Sequence, residues 1–432
     1  MKRQLLTIGS LWVCSLLFAH PCSSGQEMQW IDHVEMYTSK RPPVEKRLFR
    51  SEVVERVIEE TVTLLKNEKL KWMFANCFPN TLDTTVFYES EPEDDTFVVT
   101  GDIPAMWLRD SSAQVWPYLM YANEDERLRK MIRGVILRQF RLVLLDPYAN
   151  AFYRDLSGKG EWQNDRTPMR GGIHERKWEI DSLCYVVRLA YHYWKVTGDD
   201  SVFTAEWMQV VESILTVFKD QQRKENRGNY SFLRVTDRQY DTLSNDGYGN
   251  PVRANGLIAS SFRPSDDATV YPFLIPSNFF AVTSLRQMEE ILLKVNKNKA
   301  MARACNVLYM EVGEALKKHA IHKHPTYGKI YAFEVDGYGN QLCMDDANIP
   351  SLLALPYICD VKPSDRIYQN TRKYLLSLDN PYFFKGKYAE GIGGPHIGMD
   401  MVWPMSIIIR AMTSENDEDC LLYTSPTPRD RT

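Results

Sequence analysis

Apolar side chains recur at intervals of three and four residues through most of the chain, a spacing that places them on one face of an α-helix. Ser51 can cap one such helix, whose apolar positions run from Val54 to Leu65. Asn123 can cap another, with apolar positions from Leu128 to Ile136. Further helices, separated by Gly, Pro, Asn and Asp, are predicted at about 178–197, 202–223, 277–296, 299–318, 347–358, 366–378 and 401–412.

Strand-like alternation is weak, and its best examples are the short segments Thr96–Thr100 and Lys329–Val335. Polar and aromatic residues instead cluster ahead of helical segments, near 101–110, 174–181, 263–267, 334–348 and 388–396. If alternate helices form an inner ring with their starts at one end, these clusters converge on one pocket, as in an (α/α) toroid. A (β/α) barrel needs eight strand-like runs, which this sequence lacks. We therefore expect an all-α fold, and the absence of a flexible linker between residues 50 and 412 indicates one domain.

Charge and hydropathy narrow the class of protein. With 52 basic and 56 acidic side chains the net charge is −4, so the basic footprint of a nucleic-acid-binding protein is missing. Beyond the apolar run near the N-terminus, at residues 5–19, no stretch of the sequence reaches the roughly 18 uninterrupted apolar residues of a membrane span. The cysteines beyond residue 25 are scattered, without a C-x-x-C pair or neighbouring histidines, so we expect no structural zinc.

The N-terminus has the layout of a secretory signal peptide. Basic residues at Lys2 and Arg3 precede an apolar run from Leu5 to Ala19, and small residues follow as far as Gly25. We expect residues 1–25 to be removed and the mature protein to be exported, to the periplasm or the cell exterior. Cys22 is a candidate for lipid attachment, although the proline before it is unfavourable for that processing.

The first polar cluster, Gly101–Asp110, carries the residue types that bind sugars. An indole such as that of Trp107 covers the apolar face of a sugar ring, while Arg109 and Asp110 can form paired hydrogen bonds with neighbouring hydroxyls. The structural alternative is a helix N-cap with an arginine–aspartate ion pair. The cluster therefore suggests a sugar site without proving one.

The second cluster, His174–Asp181, has similar chemistry. We expect Glu175 and Glu179 to lie along one helical face, with Asp181 adjacent, ahead of an apolar helix. The alternative is a solvated first turn in which acidic residues favour the helix dipole. This pattern alone does not support a catalytic role for both glutamates.

The third cluster, Arg263–Ala268, gives the most specific indication of a catalytic acid. Asp266 and Asp267 at a helix start would project in different directions, so one can reach a pocket while Arg263 or backbone amides hold the other. Different surroundings would separate their pKa values and leave one carboxyl protonated as an acid. The alternative is again an acidic helix N-terminus. Farther along, the segment from Tyr271 to Asn278 supplies an aromatic wall and a second helix start.

The fourth and fifth clusters supply further hydrogen-bonding groups. Asp345, Asp346 and Asn348 suit a polyol better than calcium, because the terminal glutamate and flanking helices of an EF-hand do not follow in register. His396 ends a glycine-rich loop that lacks the lysine of a phosphate cradle. H-E-x-x-H and G-x-S-x-G motifs do not occur, so carboxylate chemistry on a sugar remains, without a metal or other cofactor.

Several of these segments, in order, resemble glycoside hydrolase family 125, the exo-acting α-1,6-mannosidases. They are GDIPAMWLRDSSAQ, WEIDSLCY, RPSDDA, LIPSNFFA, MDDANIPSLL and GGPH followed by VWPMS. The resemblance covers about residues 30–419 and implies an (α/α)6 barrel that removes terminal α-1,6-linked mannose from oligosaccharides or N-glycan fragments, with inversion and without a metal. It places the general acid at Asp266 or Asp267, with Asp266 favoured. The expected sugar-binding residues are Trp107, Arg109, Asp110, Glu179, Asp181, Arg263, Asn278, Asp345, Asp346, Asn348 and His396.

The C-terminal sequence departs from this family pattern. The resemblance implies a general-base glutamate in a Met-His-Glu-Ser-Phe-like stretch after the helix that begins near Trp403, and that stretch is missing. We therefore expect a catalytic domain at 26–419, incomplete at its C-terminus, and a disordered or non-native tail at 420–432. A glycan-binding protein without turnover is the alternative from a different class. Another (α/α)6 enzyme, such as a glucosidase or a polysaccharide lyase, fits the composition but not the ordered motifs.

Overall fold

The computed structural model describes residues 37–158, 160–387 and 389–415. The predicted signal peptide at 1–25 and the predicted tail at 420–432 lie outside these ranges.

Helices dominate the described residues, as the periodicity predicts. The twelve α-helices of these ranges are α1 (Glu52–Leu64), α2 (Glu68–Cys77), α3 (Asn80–Thr84), α4 (Leu108–Val115), α5 (Glu126–Leu145), α6 (Ile180–Thr197), α7 (Ala205–Gln221), α8 (Ile275–Lys294), α9 (Lys299–His319), α10 (Leu355–Ile358), α11 (Arg366–Leu375) and α12 (Pro404–Met412). Not one of them is long and apolar enough to cross a membrane.

Helix starts follow the predicted capping chemistry with one correction. Ser51 caps α1, its side chain accepting a hydrogen bond from the Val54 amide at 3.3 Å. The prediction that Asn123 caps α5 is wrong: Asp125 does so, accepting from the Leu128 amide at 3.0 Å. Both residues favour caps, so propensity alone does not choose between positions two residues apart.

The helix predicted at 347–358 is largely wrong, because only the four residues of α10 are helical there. The Asp345 carboxylate accepts hydrogen bonds from the backbone amides of Leu352 and Leu353, at 2.8 and 3.0 Å. Pro350 adds a position without an amide donor. A buried side chain therefore holds this segment in turns that the apolar pattern does not reveal.

The described strands are short and form five small antiparallel sheets. Three sheets have two strands each: β1 (Val86–Glu89) with β2 (Asp95–Val98), β7 (Ile321–His324) with β8 (Gly328–Tyr331), and β11 (Phe383–Lys385) with β12 (Glu390–Ile392). One three-stranded sheet has the order β3 (Met106–Trp107), β4 (Ala151–Phe152), β5 (Ile173–Glu175). The other has the order β10 (Gln341–Leu342), β9 (Glu334–Val335), β6 (Phe273–Leu274). The predicted strand Thr96–Thr100 overlaps β2, and Lys329–Val335 is divided between β8 and β9.

Several strands lead directly into helices, and this arrangement brings helix starts together. Strand β3 continues into α4, and β6 continues into α8. Helix α6 is the most enclosed, because each residue from Ile180 to Ala190 is buried against one continuous hydrophobic core. It packs between α4 and α8, and its first turn meets that of α4 where Arg109 contacts Asp181.

Candidate active site

A cavity of about 430 Å³ opens where α4, α6 and the 263–268 turn meet. Among the residues predicted to bind sugar or supply the acid, five line it: Arg109, Asp110, Asp266, Asn348 and His396. Residues from the first, third, fourth and fifth polar clusters thus converge on one pocket. Larger concave regions at the protein surface contain none of the predicted site residues.

One cation stands among four acids at this cavity, a group that we call the Arg109 cluster: Arg109, Asp110, Glu179, Asp181 and Asp266. The guanidinium donates to Glu179 Oε2 at 2.6 Å and to Asp181 Oδ2 at 3.2 Å. Asp110 Oδ2 and Asp266 Oδ1 lie 3.6 and 3.9 Å from its nitrogens. Arg109 therefore connects two wholly buried carboxyls to two that are about one-third exposed, at 35% and 34%.

Burial and the surplus of acids favour protonated carboxyls in this cluster. Burial raises the pKa of Glu179 well above its ordinary value, and the neighbouring Asp181 and Asp266 add to this effect against the attraction of Arg109. Burial likewise raises the pKa of Asp181 to about 6, although Arg109 opposes it. The pKa of Asp110 is also raised, first by burial. The cluster can therefore retain protons near neutral pH.

The two adjacent aspartates lie in a turn, so the predicted helix start at this point is wrong. The Asp266 amide donates to the Arg263 carbonyl at 2.9 Å, and the Arg263 amide donates to the Asp267 carbonyl at 2.8 Å. The two side chains nevertheless diverge as expected: Asp266 lines the cavity, whereas the side chain of Asp267 is only 1% exposed. Asp266 has a φ of 66°, a backbone conformation uncommon outside glycine.

His396 connects the buried aspartate to the cavity. Its Nδ1 lies 2.9 Å from Asp267 Oδ1, and this hydrogen bond is the first cause of a raised pKa for the imidazole. Burial raises the pKa of Asp267 in turn, against the influence of His396. Nearby, Asp346 accepts from the Ser265 hydroxyl at 2.7 Å and from the Asn348 amide nitrogens at 3.1 Å. These contacts tie the 263–268 turn to the fourth cluster.

The Arg263 guanidinium forms its hydrogen bond with Glu334 and not with the side chain of Asp266 or Asp267. It donates to Glu334 Oε1 at 2.6 Å, while the other oxygen of Glu334 accepts from the amides of Val270 and Tyr271. Both side chains of the pair are buried. Through Glu334, Arg263 thus fixes the backbone at Val270 and Tyr271, just after the turn. The sequence alone does not indicate this pairing.

Three further predicted residues lie away from the cavity wall. Trp107 is buried, with its ring edge-on to His174 at a centroid distance of 5.2 Å. Asn278 is fully buried and bonds the backbone of Ile258 in both directions. Asp345 is fully buried behind the 352–353 amides, and burial raises its pKa to about 8. Their observed contacts support local structure.

The second cluster divides between two environments, so the prediction that its glutamates share a helical face is wrong. Glu175 ends strand β5, whereas Glu179 is the N-cap residue of α6. Glu175 belongs to a second charged group, which we call the Arg234 cluster: Lys177, Arg234, Asp165, Glu175 and Asp241. Arg234 forms two bonds with Asp165, at 2.9 and 2.7 Å, and lies 2.9 Å from Glu175 Oε1.

Two tryptophans that were not predicted to bind sugar line the cavity, namely Trp116 and Trp403. The ring of Trp403 lies beside that of His396, with centroids 6.2 Å apart. Trp116 packs against the Arg188 guanidinium at 3.4 Å from its ring centroid. Trp403 falls within the VWPMS segment, so the sequence held a signal for it, whereas Trp116 follows the end of α4 without a distinguishing pattern.

Within the described ranges, no three histidine, cysteine, aspartate or glutamate side chains are grouped so that they could hold a metal ion. The cysteines of those ranges, Cys77, Cys184, Cys305, Cys343 and Cys359, are free thiols.

Comparison with known proteins identifies the family. The family model of metal-independent α-mannosidases, glycoside hydrolase family 125, matches residues 67–423. The chain belongs to this family. It is accordingly a glycoside hydrolase.

Relatives extend the match over most of the chain. The meiotically up-regulated gene 157 protein of Schizosaccharomyces pombe (strain 972 / ATCC 24843) is 43% identical over 401 residues, which cover 88% of this chain and 79% of the relative. A solved metal-independent α-mannosidase of Streptococcus pneumoniae, in a non-productive complex with α-1,6-mannobiose, is 42% identical. That match has a TM-score of 0.82 and covers 87% of this chain and 88% of the other.

Proposed function

We propose that this protein is an exo-acting α-1,6-mannosidase that removes the terminal mannose of oligosaccharides or N-glycan fragments with inversion of configuration. The observation that carries the proposal is the Asp266 carboxyl, which lines the cavity beside Arg109 in a chain of the α-mannosidase family. The α-1,6 linkage is suggested by the disaccharide in the Streptococcus pneumoniae complex. We also propose an (α/α)6 barrel and an exported location.

In this proposal Asp266 is the general acid. Its carboxyl would deliver a proton to the glycosidic oxygen as the bond to the anomeric carbon breaks, so that the leaving sugar departs as a neutral alcohol. Asp267 suits this role less well, because its carboxyl is buried and engaged by His396.

Inversion needs a second carboxylate on the opposite face of the sugar. In inverting glycosidases it lies about 6.5–9.5 Å from the acid, which leaves room for the water that it activates. Asp110 is a second acid of the cavity wall, but burial raises its pKa, which disfavours the ionised form that a base requires. We therefore assign Asp266 the acid role and leave Asp110 as a binding group. The base that takes the proton of the attacking water is, in this proposal, the glutamate of the Met-His-Glu-Ser-Phe-like stretch that the family resemblance implies and that this sequence lacks.

The direct test is to incubate a version of the protein that includes the missing general-base stretch with α-1,6-mannobiose and follow the anomeric protons by NMR, with the 432-residue chain measured beside it. We expect β-mannose to appear first, and α-1,2- and α-1,3-mannobiose to be cleaved more slowly. Initial release of α-mannose would contradict inversion, and equal rates on all three disaccharides would contradict the linkage preference. Calorimetric binding without hydrolysis would instead support the glycan-binding alternative.

A further inference from the structure

The backbone of Asp266 is held from outside its own turn by one lysine. Lys177 lies between β5 and α6, and its Nζ donates to the Asp266 carbonyl oxygen at 3.0 Å. The same ammonium donates to Asp241 Oδ1 at 2.7 Å and lies 3.6 Å from Glu175 Oε1. Its side chain is only 3% exposed, and its own amide donates to Asn150 Oδ1 at 3.1 Å. The lysine is thus fixed at both ends.

Asp266 needs such support because of its backbone conformation. A φ of 66° places it in the left-handed region, where a side chain other than that of glycine costs about 1 kcal/mol or more unless the surroundings enforce it. The bonds that close the turn come from Arg263 and Asp267, and the Ala268 amide donates to the Tyr240 carbonyl at 2.7 Å. Lys177 adds a side-chain hydrogen bond to the Asp266 carbonyl.

We propose that Lys177 is a positioning residue for Asp266: by binding the Asp266 carbonyl, it fixes the left-handed turn and directs the carboxyl toward the cavity. This inference rests on the proposed function, in which Asp266 is the general acid. Lys177 binds the backbone of Asp266, also interacts electrostatically with the Asp266 carboxylate, and does not line the cavity itself. An error of about 1 Å in the position of a reacting group can cost about 100-fold in rate.

The inference makes a prediction that depends on the leaving group. A misplaced acid slows the cleavage of α-1,6-mannobiose, whose sugar alkoxide needs a proton, far more than cleavage of 2,4-dinitrophenyl α-mannoside, whose phenolate needs little. For Lys177→Met we expect kcat on mannobiose to fall about 10- to 100-fold and kcat on the aryl mannoside by less than about 3-fold. Lys177→Arg, which keeps the charge and hydrogen-bond donors, should show an intermediate change in this ratio.

Arg234→Met is the matched control. Arg234 is a buried cation of the same cluster and shares Asp241 and Glu175 with Lys177, but no hydrogen bond or ion pair links it to Asp266 within the described residues. Its loss should reduce both activities by the same factor. An equal loss on both substrates for Lys177→Met would overturn the inference and leave Lys177 a purely structural residue.

Two further outcomes separate this inference from the proposed function. If Asp266→Asn itself shows no dependence on the leaving group, then the assignment of Asp266 as acid fails. If Asp266→Asn shows that dependence and the folded lysine variants do not, then only the role of Lys177 fails. Should Lys177→Met prove insoluble, an unchanged substrate ratio for Lys177→Arg would overturn the inference, and a ratio shifted at least about 3-fold in the direction of Asp266→Asn would support it.

Discussion

Two clusters of buried charge lie on either side of the segment that leads into helix α6. The Arg234 cluster has two cations for three acids, and short ion pairs at 2.7–3.1 Å join Arg234 to Asp165, Glu175 and Asp241. The Arg109 cluster has one cation for four acids. The two clusters contain the same residue types but differ in their ratio of cations to acids. Glu175 of the first and Glu179 of the second are only four positions apart in the sequence.

The difference in balance produces opposite protonation. Burial acts to raise the pKa of Glu175, but Lys177 and Arg234 together outweigh it, and the pKa is lowered. Four residues farther along, burial raises the pKa of Glu179, and the single arginine does not compensate. Glu175, with two cations beside it, is therefore a structural anion, whereas the raised pKa values of Glu179 and Asp181 favour their protonated forms. Only the second arrangement suits acid catalysis.

Asp266 belongs to both arrangements through different atoms. Its carboxyl faces the Arg109 cluster, and its carbonyl accepts the hydrogen bond from Lys177 of the Arg234 cluster. Lys177 therefore connects the better-compensated cluster to the turn that carries Asp266, the acid in our proposal.

The largest effect is expected for Asp266→Asn, which removes the proposed proton donor. General acid catalysis contributes about 10²- to 10⁴-fold, so kcat/KM on α-1,6-mannobiose should fall by about that factor. The loss should be much smaller on 2,4-dinitrophenyl α-mannoside. Steady-state kinetics on both substrates, with Asp267→Asn as the neighbouring control, check this. If Asp267→Asn alone gave the leaving-group dependence, the acid would be Asp267.

The next comparison removes the central cation from each cluster. Arg234→Met leaves Asp165 and Glu175 buried without their partner, which should lower the free energy of unfolding by about 3–5 kcal/mol. Arg109→Met should lower the free energy of unfolding less at pH 5 than at pH 8, because Glu179 and Asp181 can take up protons at the lower pH. Urea unfolding of both variants at the two pH values measures this. A similar pH dependence for both variants would remove the distinction between the clusters.

Sequence patterns predicted the helices well because their signal is local and repeated along many residues. The buried faces of α1, α5 and α7 follow the apolar spacing of the sequence. The segment 347–354 has apolar residues as well, but the carboxylate of Asp345 determines its turns. That interaction depends on one side chain in three dimensions and leaves no periodic trace.

The candidate site was predictable in its residue types but not in its pairings. Five of the predicted residues line one cavity, because the polar clusters do precede helices whose starts meet. Arg263 was expected beside Asp266 or Asp267 and instead contacts Glu334, which lies 71 positions away in the sequence. Lys177 was overlooked because, in the run His174–Asp181, it resembles an ordinary surface charge. Long-range charge pairing is the information that a single sequence does not carry.

Asp181 should make the free energy of unfolding depend on pH, and this effect is expected to be smaller than those above. Its pKa is about 6 in the folded protein, above the value near 3.9 of an unfolded aspartate, so the folded state binds more protons. The resulting stabilisation is present below about pH 4 and is lost as the pH rises through about 6. Asp181→Asn cannot ionise, so its stability relative to the wild type should increase by on the order of 1–3 kcal/mol between pH 4 and 7.

Urea unfolding of the wild type and Asp181→Asn across this pH range provides the measurement. The exposed substitution Asp237→Asn, which changes the net charge equally, serves as the control and should show a flat difference. If the stability difference between Asp181→Asn and the wild type decreased as the pH rose, the single arginine would compensate its acids after all, and the two clusters would not differ in kind.

The smallest effect is expected for Ser265→Ala, which breaks the link between the acid-bearing turn and Asp346. The Ser265 hydroxyl donates to the buried Asp346 carboxylate at 2.7 Å, so its loss should lower the free energy of unfolding by about 1 kcal/mol. Ser157→Ala removes a similar serine–aspartate bond of 2.8 Å at the surface, and we expect a change below about 0.5 kcal/mol there. Equal effects in thermal unfolding would show that burial adds nothing to the Ser265 contact. A loss of mannobiose hydrolysis as large as that of Lys177→Met would instead make Ser265, and not only Lys177, a support for Asp266.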